Sequence, residues 1–351
     1  MRAKAAALLV AVLFLSISSL AVFSQEPSVH IGVLIDDIKL ERWQRDSKLL
    51  QAHARERGAK ITVKDDEGSD SLQLQQATQL LDSGVNVLIV VPHDAEKAAA
   101  IVQAAERKHV PVISYDRLIK NAAVSLYLSF DNLQVGKLQA SALLSQATSG
   151  NYFLLEGSPA DNNAHQIEKG HRLALKSAED SHQITVVDTS WCRDWGHQDA
   201  YDATLAALKK SDGKLAAIVA ANDDTAAGAI QALAEHKLAG KVAVSGQDAD
   251  LAAIVRIIRG TQTMTVYKPL GPLSKRAIDA AITLAHSGKL EATEQFQNGS
   301  LTVPAILLQP IAVDQHNLGA TVISDGFHSA DEIKKALAPG EWEKFTASRR
   351  H

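Results

Sequence analysis

The sequence predicts an α/β protein with two similar doubly wound parallel-sheet lobes joined by hinge strands. Short apolar runs rich in Val and Ile recur along the chain and alternate with amphipathic stretches, as expected of helices covering mostly parallel sheets. The runs lack alternation of apolar and polar residues, which is typical of strands buried on both faces. There are too many such units for one compact sheet, and 351 residues are enough for two cores.

The predicted strands and helices alternate in chain order. The strands are "IGVLI" (31–35), "ITV" (61–63), "VLIVV" (87–91), "VPVIS" (110–114), "NYFLL" (151–155), "ITVVD" (184–188), "AAIVAA" (216–221) and "VAVSG" (242–246). The helices are 40–57, 71–83, 94–108, 162–178, 197–210, 224–238 and 271–287. The first helix carries most of its apolar residues on one stripe and is followed by Gly58, a stop signal.

We expect the chain to cross between the lobes three times. The predicted crossings lie near 129–137, 263–269 and 298–304. The resulting parts are a signal peptide (1–24), an N-terminal lobe (28–132 plus 267–297), a C-terminal lobe (133–266 plus 298–328) and a C-terminal tail (329–351). The signal peptide is predicted because Arg2 and Lys4 precede an apolar run, and small residues, Val22 and Ser24, precede a cleavage site. A soluble, exported protein follows from this pattern.

Composition and motifs exclude several function classes. The chain has 36 Lys and Arg against 40 Asp and Glu, and this acidic balance argues against nucleic acid as a partner. A single cysteine, Cys192, cannot form an internal disulfide. Zinc-type Cys/His spacing, EF-hand spacing, the P-loop, "GxGxxG" and "GxSxG" are all missing from the sequence. We therefore expect no metal, no cofactor and no enzymatic activity.

Polar and indole side chains follow many of the predicted strands. Ligands of open α/β sheets bind beyond the carboxyl ends of the strands. The candidate binding residues at these ends are Arg42, Trp43, Asp116, Arg117, Asn162, Asn163, Trp195, Asn222, Asp248 and Lys268. Carboxylates and amides can satisfy the donors and acceptors of sugar hydroxyls, and indole rings can cover the apolar face of a sugar ring. The set predicts a monosaccharide site, with Asn162 and Asn163 as alternatives and Trp195 preferred to Trp191.

Other roles are open for some of these residues. Trp43 lies on the apolar stripe of its helix and would suit the core, and Arg117 could simply neutralise Asp116. Asp223 and Asp224 could be a helix-capping pair. Paired carboxylates would also suit a secreted glycosidase. The surplus of Asn, Arg and Lys favours holding a small polyol over cleaving one.

Eight segments together give a family resemblance. They are "IGVLIDDIKLERWQRD", "VISYDRLI", "YLSFDNLQVGKLQA", "GSPADNNA", "NDDTAAGAIQAL", "SGQDADLAAI", "GTQTMTVYKPL" and "DGFH". From about His30 to His328 the chain resembles the D-xylose-binding members of the type I periplasmic sugar-binding protein family, which serve bacterial ABC importers. The segments "DDIKLERW", "GQDAD" and "TMTVYKP" are more specific than the fold that the wider family shares.

The resemblance implies a fold, partners and residue roles. It implies two lobes with three hinge strands, a periplasmic location, a monosaccharide ligand such as D-xylose, and delivery to an importer permease and its ATPase. We expect a monomer that binds no nucleic acid. The resemblance makes Trp43 and Trp195 the walling aromatics and the polar candidates the hydrogen-bonding residues. Three positions depart from the pattern: Glu156 stands where Gly is expected, Asp224 where a small residue is usual, and Cys192 is unexpected.

Overall fold

The computed structural model describes residues 28–347. The predicted signal peptide, 1–24, and the last residues of the predicted tail lie outside this range. Between residues 28 and 347, none of the helices combines the length and the apolarity that a membrane span requires.

Strands and helices alternate along most of the described chain. The strands are β1 (His30–Ile35), β2 (Lys60–Asp65), β3 (Val87–Val90), β4 (Val112–Tyr115), β5 (Leu126–Phe130), β6 (Gly150–Glu156), β7 (Ile184–Trp191), β8 (Ala217–Ala220), β9 (Ala243–Val244), β10 (Met264–Tyr267), β11 (Glu294–Gln297), β12 (Thr302–Leu308) and β13 (Ile311–Asp314). The α-helices are α1 (Glu41–Glu56), α2 (Asp70–Asp82), α3 (Ala99–Glu106), α4 (Asn132–Gln146), α5 (Asn162–Asp180), α6 (His197–Lys210), α7 (Asp223–Glu235), α8 (Leu251–Arg259), α9 (Leu270–Ala285), α10 (Ala330–Ala336) and α11 (Glu341–Ala347). A 3-10 turn covers Arg193–Trp195, and a π-helical turn covers Gly319–Ile323.

The first lobe is built on a seven-stranded sheet. Its strand order is β11-β12-β5-β4-β3-β1-β2, and all neighbours are parallel except β11 and β12. The central strands are buried along their whole length, as the apolar runs predict. Helices α1 and α9 pack on one face, and α2 and α3 pack on the other. This lobe is therefore doubly wound.

The second lobe is built on a smaller parallel sheet. Strands β7-β6-β8-β9 form its main part. An isolated bridge from Gln247 to Val266 joins β10 to this sheet, and β10 pairs antiparallel with β13. Helices α4 and α5 pack on one face, and α6 and α7 pack on the other. The two lobes confirm the predicted fold class.

The chain passes between the sheets after β5, after β10 and after β12. The first and third passages lie side by side, since the Asp131 backbone N–H donates to the Leu308 carbonyl over 3.0 Å. The third passage differs from the prediction, which assigned 298–328 to the C-terminal lobe. Residues 302–308 instead pair with β5 in the first sheet. The apolar run "AILL" gave no sign of which sheet it would join, because strand pairing is a non-local property.

Side-chain caps explain several helix starts. Ser69, Asp131, Asp161 and Asn222 each accept a backbone N–H from the first turn of the following helix. The helix predicted from residue 94 is an exception. Asp94 caps a turn over residues 95–98 that leads into α3, which begins only at Ala99.

Helix α4 packs against α5 at an unusually close contact. Gly136 and Gly170 face each other there, and a Cβ on either would overlap backbone atoms of the opposite helix. Glycine is required at both positions because the two backbones touch. Helix α4 begins immediately after the first passage and is thus fixed to the second lobe.

The predicted C-terminal tail is folded where it is described. Ile333 and Leu337 of the α10 region are buried with α8 and β10 residues, and Trp342 of α11 packs against the same cluster. The tail thus extends the second lobe rather than trailing from it.

Candidate functional site

A cavity lies between the lobes, where segments that follow the strands of both sheets converge. The space within and in front of it, including volume open to solvent, is about 480 Å³. Its lining residues are Leu40, Glu41, Arg42, Trp43, Asp116, Arg117, Asp161, Asn163, Trp195, Asn222, Asp224, Gln247, Asp248, Asp250 and Lys268. Nine of the ten predicted residues are among them. The tenth, Asn162, is not, so of the two alternatives Asn163 faces the cavity.

Arg42, in the first turn of α1, contacts three carboxylates. Its Nε donates to Asp46 Oδ2 over 2.7 Å, its Nη1 donates to Asp248 Oδ1 over 3.2 Å, and its Nη2 donates to Asp116 Oδ2. Burial alone would lower the Arg42 pKa, but the three carboxylates together raise it well above its usual value. Arg42 is therefore permanently charged. Its contact with Asp248 reaches the second lobe.

Arg117 forms a second bridge between the lobes. Its Nη1 donates to Asp36 Oδ2 over 2.6 Å, and its Nε lies 2.9 Å from Asp161 Oδ2 in the second lobe. Burial favours the protonated form of Asp36, but Arg117 and His93 outweigh it and lower the Asp36 pKa. At Asp161 burial outweighs the attraction of Arg117, and the pKa is raised. The pKa values of Asp36 and Asp161, the two carboxyl partners of Arg117, thus shift in opposite directions.

Asp116 and Arg117 point apart because the chain turns sharply at the end of β4. Asp116 has a φ of 59°, a left-handed conformation that Asp adopts more readily than most residues. Its carbonyl accepts from the Ser129 hydroxyl, and Asn163 Nδ2 lies 3.2 Å from both its carbonyl and its Oδ1. Burial opposes ionisation of Asp116, but Arg42 and Lys268 prevail and lower its pKa. The "YDR" segment therefore delivers a fixed carboxylate and a fixed guanidinium to the cavity.

Lys268 follows β10, where the chain returns to the first lobe. Its Nζ lies 3.2 Å from Asp248 Oδ1 and 4.0 Å from Asp116 Oδ2. It also lies 6.0 Å from the centroid of the Phe130 ring. The side chain is only 4% exposed, so these two carboxylates are the partners that offset its burial.

Trp43 fulfils both roles that the sequence left open. It is part of the first-lobe core and also lines the cavity. The guanidinium carbons of Arg42 and Arg117 lie 4.9 and 5.3 Å from its ring centroid, within the range of cation–π attraction. The indole is therefore held rigidly at one wall.

Trp195 lines the opposite wall, and its ring packs directly against Gly157. A Cβ at that position would overlap the ring, so the close approach requires glycine. Trp195 Nε1 donates to Asp161 Oδ2 over 3.3 Å. Trp191, the alternative, is absent from the cavity lining and stacks against His165 with ring centroids 4.8 Å apart.

Two residues of the cavity lining each carry a buried polar atom that lacks a hydrogen-bond partner among the described residues. The atoms are Gln247 Oε1 and Trp43 Nε1. Leaving such a group unsatisfied costs about 1–3 kcal/mol. One is an acceptor and the other a donor, so a ligand with hydroxyl groups could satisfy both.

Sequence reasoning missed six lining residues as site members. They are Leu40, Glu41, Asp161, Asp224, Gln247 and Asp250. Asp161 is the N-cap of α5 and the partner of Arg117 at the same time. Gln247 and Asp250 lie in the segment "GQDAD", but no periodicity indicates which members of an irregular segment face inward.

The three positions that depart from the family pattern, Glu156, Asp224 and Cys192, lie in different places relative to the cavity. Glu156 is fully buried and does not line the cavity; its Oε1 lies 3.0 Å from Nδ1 of buried His171. Asp224 does line the cavity, and burial raises its pKa. Cys192 is buried, and burial raises the pKa of its thiol to about 12, which leaves it unreactive.

The described residues offer no group of three or more His, Cys, Asp or Glu side chains placed to hold a metal ion. The three cations that line the cavity, Arg42, Arg117 and Lys268, are instead each paired with carboxylates, which favours hydrogen bonding with a neutral polar molecule. The arrangement is suited to holding a ligand rather than to transforming it.

The comparisons with known proteins agree with this geometry. Residues 31–290 match the periplasmic binding protein domain family, and the chain belongs to that family. Proteins of this class bind a substrate for a transporter and are not enzymes.

Two curated relatives are D-xylose-binding periplasmic proteins. That of Haemophilus influenzae is 44% identical over 320 residues, which cover 90% of this chain and 96% of the relative. That of Escherichia coli K12 is 44% identical over 305 residues, covering 87% and 92%. A carbohydrate transporter solute-binding protein of Chloroflexus aurantiacus, solved in complex with D-glucose, aligns with a TM-score of 0.82 and 28% identity over 87% of this chain and 98% of that one.

Proposed function

We propose that this protein captures a monosaccharide, D-xylose in preference to others, in the cavity between its lobes and delivers it to an ABC importer. The observation that carries the proposal is the interlobe cavity walled by two indole rings, whose lining residues Gln247 and Trp43 each hold one unsatisfied polar atom. The 44% identity to two D-xylose-binding proteins favours this pentose.

The binding mechanism follows from the two-lobed geometry. Sugar enters the open cleft and contacts one lobe. Closure then adds hydrogen bonds from the other, so ligand shifts the equilibrium toward the closed form. The contacts of Arg42 with Asp248 and of Arg117 with Asp161 span the cleft and are available only when the lobes meet. The closed surface would be what a permease, driven by its ATPase, recognises.

The proposed cellular location is the periplasm. The relatives named above are periplasmic proteins. The N-terminal pattern of Arg2, Lys4 and an apolar run supports export through a cleaved signal peptide.

A second candidate ligand is a hexose such as glucose. The Chloroflexus relative was solved with D-glucose, and Asp224 adds a carboxylate to the lining. Discrimination against one extra CH₂OH group depends on shape at this wall. A secreted glycosidase is not supported, because the chain belongs to a family of periplasmic binding proteins.

Isothermal titration of the mature chain tests the proposal, with D-xylose, arabinose, ribose and glucose in parallel. We expect one-to-one binding with D-xylose tightest. The Lys268→Met variant should bind at least about tenfold more weakly, because it loses the cation between Asp116 and Asp248. Lys214→Met, at an exposed position, is the matched control. Equal affinity of Lys268→Met and Lys214→Met would mean that the cavity is not the binding site. Preference for another sugar would mean that the proposed ligand, D-xylose, is wrong.

A further inference from the structure

The motif "DGFH", residues 325–328, does not line the cavity. It instead meets α1 on another side of the interlobe contact. His328 is fully buried, and its Nε2 lies 2.9 Å from the carbonyl oxygen of Ala249. A carbonyl can only accept, so Nε2 carries the proton. His328 Nδ1 is then an acceptor, and it lies 3.0 Å from Arg45 Nη2.

Arg45 joins this motif to the first lobe. Its Nη1 donates to the Phe327 carbonyl over 2.7 Å, and its Cζ lies 4.5 Å from the Phe327 ring centroid. Glu41, one turn earlier on α1, accepts from Arg45 Nε and Nη2 over 2.9 and 2.8 Å. The other Glu41 oxygen faces the Leu251 backbone N–H at 3.4 Å. A pair from α1 thus contacts two separate segments of the second lobe.

Arg45 lies three residues after Arg42, about one turn along the same helix. Arg42 reaches Asp248 inside the cavity, whereas Arg45 reaches Phe327 and His328 beside it. A rigid movement of α1 relative to the second lobe would change both sets of contacts together.

We propose that Arg45 and His328 form an interlobe latch that stabilises the closed form around bound sugar and weakens when His328 is protonated. The inference rests on the proposed function for its ligand. Arg45 and His328 are positioning residues, because neither lines the cavity. The latch would slow opening, so its loss should act mainly on the rate of sugar release.

The pH dependence follows from the hydrogen-bond directions. A protonated His328 would present an N–H and a positive charge to Arg45, and their contact would be lost. Burial, followed by Arg45, lowers the His328 pKa, while Glu41 and Glu332 oppose this shift. When the lobes part, the pKa returns toward its usual value of about 6.5. Acidification through that region therefore favours the open form.

The first test compares Arg45→Met with Arg57→Met. Arg57 ends the same helix, but its partner, Asp279, lies within the first lobe. Stopped-flow and titration measurements with D-xylose should show Kd rising about tenfold in Arg45→Met, mostly through faster release, because charged hydrogen bonds are lost. Arg57→Met should stay within about twofold of wild type. Equal release rates in the two variants would overturn the latch.

The second test measures D-xylose affinity from about pH 8 to about pH 5, across the range in which histidine titrates. Affinity of the wild type should fall relative to His328→Gln as pH decreases. His93 must be separated from this effect, because its Nε2 lies 3.8 Å from Asp194 Oδ1 of the second lobe, so its protonation would favour closure. Arg45→Met provides a second comparison should His328→Gln fold poorly. Its profile should also be flatter than that of the wild type. If the wild type, His328→Gln and Arg45→Met gave parallel profiles of affinity against pH, the proposed effect of His328 protonation would be refuted.

Spin labels separate failure of the latch from failure of the proposed ligand. Labels at exposed Gln79 and Lys209 report the distance between lobes, while Cys192 is buried. A wild type unchanged by D-xylose would refute the ligand. The latch is then decided in the sugar-free protein, where Arg45→Met should contain less of the closed form than Arg57→Met. Equal closed fractions would refute the latch itself.

Discussion

The two walls of the cavity differ in how their charges are balanced. We define the first wall as Arg42, Trp43, Asp116 and Arg117, and the second wall as Asp161, Asn163, Trp195, Asn222, Asp224, Gln247, Asp248 and Asp250. The first wall has ion pairs within its own lobe, since Arg42 contacts Asp46 and Asp116, and Arg117 contacts Asp36.

Two carboxylates of the second wall, Asp161 and Asp248, pair with cations that lie outside that wall. Asp161 faces Arg117, and Asp248 faces Arg42 and Lys268. Gln247 Oε1 has no partner among the described residues. The first wall should therefore remain intact when the cleft opens, whereas the second wall loses partners. Substitutions in the first wall should reduce stability, and those in the second wall should reduce ligand affinity.

The largest effect is expected from Arg42→Met in the first wall. The change leaves Asp46 and Asp116 buried without their main cation, which typically costs about 3–5 kcal/mol of unfolding free energy. Urea denaturation of the sugar-free protein measures this loss. Arg57→Met removes a more exposed ion pair and should cost at most about 1 kcal/mol. Similar losses in the two variants would show that the first wall is not held together by its own charges.

Asp248→Asn in the second wall should weaken binding instead. Arg42 keeps Asp46 and Asp116, so the unfolding free energy of the sugar-free protein should change by no more than about 1 kcal/mol. D-xylose affinity should fall about tenfold or more, since charged contacts of the closed form are lost. The paired measurements are urea denaturation and titration calorimetry. A large loss of stability with unchanged affinity would reverse the assignment of the two walls.

The pH dependence of stability should also differ between the two carboxyl partners of Arg117, Asp36 and Asp161. The Asp36 pKa is lowered, so Asp36 adds stability above its unfolded-state pKa of about 3.9 and loses it as pH falls through its folded-state pKa. The Asp161 pKa is raised, so its contribution is greatest in acid and is lost as pH rises through the folded-state pKa. Each pKa unit corresponds to about 1.4 kcal/mol.

Denaturation of wild type, Asp36→Asn and Asp161→Asn across acidic pH measures this difference. The stability advantage of wild type over Asp36→Asn should shrink on acidification. Its advantage over Asp161→Asn should grow. If both stability differences changed in the same direction on acidification, the opposite pKa shifts of Asp36 and Asp161 would be contradicted.

The smallest effect is expected from Gln247→Met. The variant removes an acceptor that has no partner in the sugar-free protein, so stability should be unchanged or slightly higher. D-xylose affinity should fall by about 0.5–1.5 kcal/mol, the usual net contribution of one neutral hydrogen bond. Calorimetry compares it with wild type. Unchanged affinity would mean that Gln247 Oε1 does not contact the sugar.

Much of the fold was predictable because buried parallel strands have a strong local signal. The runs at 31–35 and 87–91 coincide with β1 and β3 to within one residue. Strand β12 was assigned to the wrong lobe, since pairing with β5 depends on contacts far apart in the chain. Helix α4 was not predicted, and its Gly136 is a helix-weakening residue that only the contact with α5 explains.

The candidate site was predictable where a residue directly follows a strand. Asp116, Arg117 and Asn222 lie at such ends and do line the cavity. Asp161 is a cavity residue that the sequence did not predict. Its place before α5 indicates a helix cap, whereas its pairing with Arg117 depends on the folded structure. The pairing of each cation with particular carboxylates was also beyond the sequence, since it depends on how the two lobes approach one another.

The glycine contact between α4 and α5 has a consequence for how the molecule moves. Because those two helices touch backbone to backbone, α4 is expected to move together with α5 as part of the second lobe. Any bending between β5 and α4 is then confined to the short stretch around Asp131, which is itself tied to Leu308. Such a short segment acts as a hinge at one edge of the cleft. A small change of backbone angle there is converted into a wide swing at the far rim of the cleft.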